Sequence, residues 1–136
     1  MTDDAFLARF EAGRLDSFTH RDHLRVAFAY ARRGGVEHAI ERARSGLRHF
    51  TAAHGETERY HDTLTTAWAR IIAHHALAHT GGFETFLAAN PRLLDRELLL
   101  AHYSHERLFS DAARARFVEP DLLALPRPRR PPSPGG

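Results

Sequence analysis

Between its glycine and proline stops this chain places apolar residues three and four positions apart, and nowhere does it sustain the two-residue alternation of a half-buried strand. That periodicity leaves helices packed on helices as the fold. Asp3 or Asp4 can cap a first helix carrying Phe6, Leu7 and Phe10, with Gly13 as its stop. Thr19 and Asp22 mark the start of a second, which runs through Leu24, Ala27, Phe28 and Ala31 to Gly34-Gly35. A third spans about Val36 to His54 on the stripe Ile40, Ala43, Leu47 and Phe50. A fourth starts near Tyr60-His61, carries Leu64, Trp68, Ile71, Ile72 and His75 on one face, and ends at Gly81-Gly82. Phe83, Phe86 and Leu87 mark a short fifth closed by Asn90-Pro91, Leu93 to His102 suits a sixth, and Ser110 can cap a last turn or two through Arg116. The expectation is an all-α, compact single-domain helical bundle of five to seven helices over residues 1–122, with a Pro/Arg/Gly-rich disordered tail over residues 123–136.

Several chemistries are excluded by composition. The chain has no cysteine, so disulfides, thiolate metal ligands and cysteine nucleophiles are absent. A transition-metal site would have to use imidazole and carboxylate. No apolar run reaches the ~20 residues of a membrane span, and the acidic start Met1-Thr2-Asp3-Asp4 is unlike a signal peptide, so a cytoplasmic protein with no membrane partner is expected. All basic residues are arginine, and Arg127, Arg129 and Arg130 lie in the Pro-rich tail. Without those three, 16 arginines face 17 acids, so the body lacks the basic excess of a nucleic-acid binder. The Gly-Gly pairs end helices instead of opening a phosphate loop, which leaves P-loop nucleotide binding without support.

Histidine carries the functional signal. Eleven histidines give three pairs at helical spacing, His20/His23, His75/His79 and His102/His105, where random placement would give roughly 1.6. Spacing alone therefore decides nothing, and context must. His20 follows a capping threonine, His23 lies one turn on, and His61 sits at another helix start. The positive end of a helix dipole disfavours imidazolium, and a neutral imidazole keeps a lone pair for a metal ion, a proton or a substrate. Two helix N-termini in a short bundle can bring His20, His23 and His61 to one place, where three imidazoles with an open position would suit Zn, Cu or Fe. Asp62, Asp22 or Glu11 could orient an imidazole, and Tyr60 and Tyr103 could line the pocket. Trp68 with its neighbours reads as core, and His38, His49 and His54 as solvent-facing.

Four phrases, read together, resemble a family of small bacterial proteins to which no activity is attached. They are Phe18 through Arg25, Leu47 through Phe50 before Gly55, Tyr60 through Thr65, and Ser110 through Asp121. The family pattern is similar to Phe-x-His-Arg-Asp-His-Leu-Arg, Leu-Arg-x-Phe, Tyr-His-Glu-Thr-Leu-Thr and Ser-x-x-Ala-Arg-x-x-Phe-Val-x-Pro-Asp. The resemblance covers about residues 5 to 122 and implies that His20, His23, Arg25, Tyr60 and His61 are family features. Asp62 stands where the family has glutamate, so its carboxylate reaches about 1.5 Å less far, which favours a supporting role. At His102 the family more often has tyrosine.

The expected function is a histidine-centred site that binds a divalent transition metal (Zn, Cu or Fe) through His20, His23 and His61 and acts on a small molecule. Arg25 and Tyr103 would bind the substrate, Arg25 by orienting an anionic group, while Tyr60 would donate a proton or hydrogen bond and Asp62 would join the catalytic set. Two rivals stand beside it. One is a metal-free enzyme in which His61, paired with Asp62, is a general base. The other is a helical binding or scaffold module whose histidines only cap and pack and whose arginine-proline tail contacts a partner.

Overall fold

The computed structural model describes residues 1–126, and within them all regular structure is helical. Seven α-helices appear: α1 (Asp3–Glu11), α2 (His20–Gly34), α3 (Val36–Ala53), α4 (Asp62–Leu77), α5 (Phe83–Ala89), α6 (His105–Leu108) and α7 (Asp111–Ala115). Three 3-10 turns, Thr57–Arg59, Pro91–Leu94 and Arg96–Ala101, join them.

The centre is the mutual packing of α2, α3 and α4. Leu24, Val26, Ala27 and Phe28 of α2, Ala39, Ile40 and Ala43 of α3, and Ala67, Ile71 and Ile72 of α4 are buried in one cluster. Each fully buried Leu, Ile or Phe contributes roughly 1.5–3 kcal/mol relative to exposure, so this three-helix layer dominates the energetics. Thr19 and Asp22 form a reciprocal cap at the start of α2: the Asp22 amide donates to Thr19 Oγ1 at 3.1 Å and the Thr19 amide to Asp22 Oδ2 at 2.9 Å. Asp22 is thereby committed to the cap and orients no imidazole.

α1 straps this layer. Its cap is Thr2, one position earlier than the aspartates suggest, because the Thr2 hydroxyl accepts from the Ala5 amide at 3.1 Å. Phe10 passes over Gly46 in the middle of α3, where a methyl group would overlap the phenyl ring. Glu11 accepts a 2.5 Å hydrogen bond from Tyr30, so it too is unavailable to a histidine. Arg25 belongs to the same strap. It donates to Asp3 at 3.1 Å and to the Met1 carbonyl at 2.6 Å, and its guanidinium lies 4.8 Å from the centre of the Phe6 ring. The expected substrate-binding role of Arg25 is corrected accordingly, since its donors hold the N-terminus against α2.

The sixth helix expected from Leu93 to His102 is two 3-10 turns. The Asp95 carboxylate accepts from the Glu97 amide at 2.9 Å, restarting the chain with a new cap in the middle of the apolar run. In a continuous α-helix that amide would donate to the Leu93 carbonyl, which is now free for a side chain elsewhere. Ser104, which the periodicity passes over, caps α6 through the Arg107 amide, and Ser110 caps α7 as expected.

The chain beyond α7 is packed further than the expected boundary at 122. The His102 carbonyl accepts from the amides of Leu122 and Leu123, and Leu125 is buried. Tyr103 is fully buried and its hydroxyl donates to the Val118 carbonyl at 2.7 Å, so it anchors this segment and does not contact a substrate cleft. The remainder of the expected tail, residues 127–136, lies outside the described residues.

A single-atom change tests the α1–α3 seam. Gly46→Ala raises helix propensity but forces the Phe10 ring to shift, and overpacking of this kind costs about 1–3 kcal/mol. Chemical denaturation should show Gly46→Ala less stable than wild type, and Phe10→Leu in the same chain should recover part of the loss.

Candidate functional site

The N-terminal ends of α2 and α4 face a common cleft of about 720 Å³, roofed by the segment from Arg96 to Phe109. Thr19, His20 and His23 line it from α2, and Tyr60, His61, Leu64, Thr65 and Trp68 from α4 and its approach. His20, His23 and His61 thus share one cleft, but their nitrogens are in three different states.

His61 is itself the cap of α4. Its Nδ1 accepts from the Leu64 amide at 3.0 Å, so the proton sits on Nε2, which donates to the Leu108 carbonyl at 2.8 Å. No lone pair is left for a metal or a proton. Burial pushes its basicity down, against the Leu108 bond, so the ring is neutral at pH 7. His61 is corrected from ligand or general base to a structural cap.

His20 retains one lone pair. The Leu93 carbonyl freed by the 3-10 break accepts from Nε2 at 2.9 Å, which places the lone pair on Nδ1. The ring stands edge-on to Trp68 at 4.6 Å. Burial lowers its pKa, the Leu93 bond opposes that, and the charge of Arg96 lowers it again.

His23 is the anomaly. It is buried, 9% exposed, and its Nε2 has no hydrogen-bond partner. Burial, reinforced by the neighbouring His20 and partly opposed by the Thr65 backbone, lowers its pKa to about 4. A neutral imidazole is therefore held in the cleft wall with an unsatisfied polar atom, which native interiors rarely tolerate. Thr66 Oγ1 is a second buried atom without a partner, but Thr66 does not line the cleft.

Asp62 and Tyr60 also depart from their expected roles. Asp62 is fully buried, accepts from Arg44 Nε and Nη2 at 2.9 and 3.0 Å, and accepts from the Phe117 amide at 3.0 Å. Arg48 lies 3.5 Å from the same carboxylate. Burial alone would raise its pKa, but the hydrogen bonds from Arg44 and Tyr60 and the charges of both arginines outweigh that and hold it below the usual carboxylate range. The Tyr60 hydroxyl donates to Asp62 at 2.5 Å, and burial together with that bond pushes it up to about 12. Tyr60 offers the cleft its ring, not its proton, and Asp62 is saturated and away from the cleft. The His61–Asp62 acid-base pair of the metal-free reading is therefore not formed. Among the described residues no three His, Asp or Glu side chains are gathered to hold a metal ion, and the three-imidazole ligand set is not assembled.

The charged rim escaped the periodicity argument. Arg59, Arg96, Glu97 and His105 line the cleft, and Phe18 and Phe109 add aromatic surface to Tyr60 and Trp68. Arg59 pairs with Glu56 at 3.2 Å, whereas Arg96 has no ion pair among the described residues. Both arginines sit in 3-10 turns, which leave no helical stripe to find them by. Comparison with protein-family models, curated proteins and solved structures finds no match for this chain. No described helix is long and apolar enough to cross a membrane.

Two measurements check this description. Asp62→Asn is expected to cost on the order of 3 kcal/mol, since it leaves Arg44 and Arg48 without their buried counter-charge. Amide exchange should report first at Phe117 and Val118, because Thr63 Oγ1 accepts from Val118 at 3.1 Å beside the Asp62–Phe117 bond. The second concerns pH. Above the ordinary value of 6.5 residue 23 is neutral in both folded and unfolded chains, and below it the unfolded chain protonates while the folded one resists until about pH 4. Stability should therefore fall as pH drops through this window, by up to about 3 kcal/mol from this residue. Thermal unfolding from pH 7 to 4 should show a steeper decline for wild type than for His23→Phe, which keeps the share due to His20 and His61.

Proposed function

We propose that this protein binds a small organic molecule in the cleft between the N-termini of α2 and α4, with His23 accepting a hydrogen bond from it. The observation that carries the reading is the buried, unpartnered Nε2 of His23, a residue that lines the cleft. A buried acceptor without a partner costs about 1–3 kcal/mol, and a ligand donor at that atom would recover it on binding. The surroundings support the reading: an apolar, aromatic-lined concavity with a few polar groups is the usual build of a small-molecule site. At pH 7 the ring is neutral and weakly basic, so it serves as an acceptor for a ligand O–H or N–H.

A second reading keeps a divalent transition metal, Zn, Cu or Fe, with His20 Nδ1 and His23 Nε2 as the protein ligands and other positions taken by water or substrate. What favours it is the Leu93 carbonyl on His20 Nε2, the outer contact that fixes the tautomer of a ligating imidazole. In that case the metal would supply Lewis-acid or redox chemistry, and the two histidines would hold it.

Trp68 is the sole tryptophan and lines the cleft, so its fluorescence reports occupancy directly. A fragment library titrated against the untagged protein should give saturable changes in Trp68 emission that His23→Phe weakens for donor-bearing fragments. Elemental analysis of wild type and His20→Ala/His23→Ala separates the metal reading: near-stoichiometric metal lost in the double variant supports it. Neither fragment binding nor metal, in a folded protein, would sink both and leave the scaffold module.

A further inference from the structure

The cleft is polarised from floor to rim. His23 and Trp68 are buried at its inner wall, whereas Arg59, Arg96 and Phe109 are exposed at its edge. The inner end therefore offers an acceptor and the outer end offers donors with positive charge. Arg96 lines the cleft and is free of ion pairs among the described residues. The rings of Phe18 and Tyr60 line the cleft together with those of Trp68 and Phe109.

Resting on the small-molecule reading above, we infer that the ligand is a singly charged aromatic acid with a hydroxyl group, its ring held among the cleft aromatics, its hydroxyl donating to His23 Nε2 and its carboxylate facing Arg96. Three features select this class. With the ring proton assigned to Nδ1, on the side of the Thr65 backbone, His23 Nε2 is an acceptor and calls for a donor, which excludes a bare hydrocarbon end. Aromatic walls favour a planar ring, stacked or edge-on. The free cation sets the anion: Arg59 is already paired with Glu56, which leaves Arg96 as the lining arginine without an ion pair among the described residues, and Glu97 beside it on the same turn disfavours a doubly charged phosphate relative to a carboxylate. Arg96 reads the ligand as a forked donor to its carboxylate, and Arg59, already paired with Glu56, adds field more than contact.

The test uses the full chain and Trp68 emission, with calorimetry as a second readout. The probe is 4-hydroxyphenylacetate, compared with phenylacetate (no hydroxyl), 4-ethylphenol (no charge), tyramine (a cation in place of the anion) and 4-hydroxyphenyl phosphate. The hydroxy acid should bind tightest, at least tenfold more tightly than phenylacetate, 4-ethylphenol or the phosphate, and tyramine should not bind. Arg96→Gln, on an exposed turn where the side chain supports nothing else, should weaken the hydroxy acid about tenfold and leave 4-ethylphenol unchanged. His23→Phe should erase the advantage over phenylacetate, and His23→Gln, which keeps an acceptor, should retain part of it. Equal binding of the acid, the phenol and tyramine, or an indifferent Arg96→Gln, overturns the aromatic-acid assignment. So does binding of unrelated fragments when none of these probes binds; in either case the small-molecule reading survives. No saturable ligand of any kind removes both.

Discussion

The carboxylate of Asp62 holds three parts of the molecule in one place. It is buried at the first turn of α4, takes two hydrogen bonds from Arg44 of α3, one from Tyr60 in the approach to α4, and one from the Phe117 amide in the C-terminal segment. An ionised carboxylate with no water around it is unstable unless its lone pairs are filled, and here all are. Thr63 extends the grip, accepting from Val118 and donating to the Arg116 carbonyl. Because the carboxylate fixes where α4 begins, it also fixes where His61 caps, how the Tyr60 ring is presented, and how the Leu108 carbonyl reaches His61. The cleft depends on a charge that never touches it.

Within the cleft, each histidine is defined by which backbone group it meets. His61 meets two and is closed. His20 meets one, the Leu93 carbonyl released by the Asp95 cap, and keeps a lone pair on Nδ1. His23 leaves Nε2 with none. Burial lowers the basicity of all three, so the positive charge of the site comes from arginine rather than from imidazolium. That division places a permanent charge at the rim and a neutral acceptor at the floor.

Much of this was legible beforehand. The caps at Thr19/Asp22, the glycine stops and the apolar stripes give α2, α3 and the start of α4 nearly as observed, because capping and periodicity are local physics, whereas α4 ends at Leu77, short of the expected stop at Gly81-Gly82. Helix-start context also singled out His20, His23 and His61, which do line one cleft. Arg25 and Tyr103 depart from their expected roles because nothing local distinguishes an arginine that pins Asp3 from one that meets a ligand. A tyrosine anchoring a distant carbonyl and a tyrosine lining a pocket are likewise the same letter. The 93–102 stretch misled for a different reason: its leucine spacing suits a helix, but a single carboxylate at Asp95 outcompetes the backbone and restarts the turn.

What the chain determined by itself is the three long helices α2, α3 and α4 and the residues at their starts, since propensity, capping and hydrophobic period act over a few neighbours. What only the tertiary structure decided is which lone pairs remain open. That depends on carbonyls 73 and 47 positions away, at Leu93 and Leu108, reaching His20 and His61 and on none reaching His23 Nε2. A hydrogen bond is satisfied by geometry within 3 Å or so, and sequence separation carries no information about such distances until the core has closed.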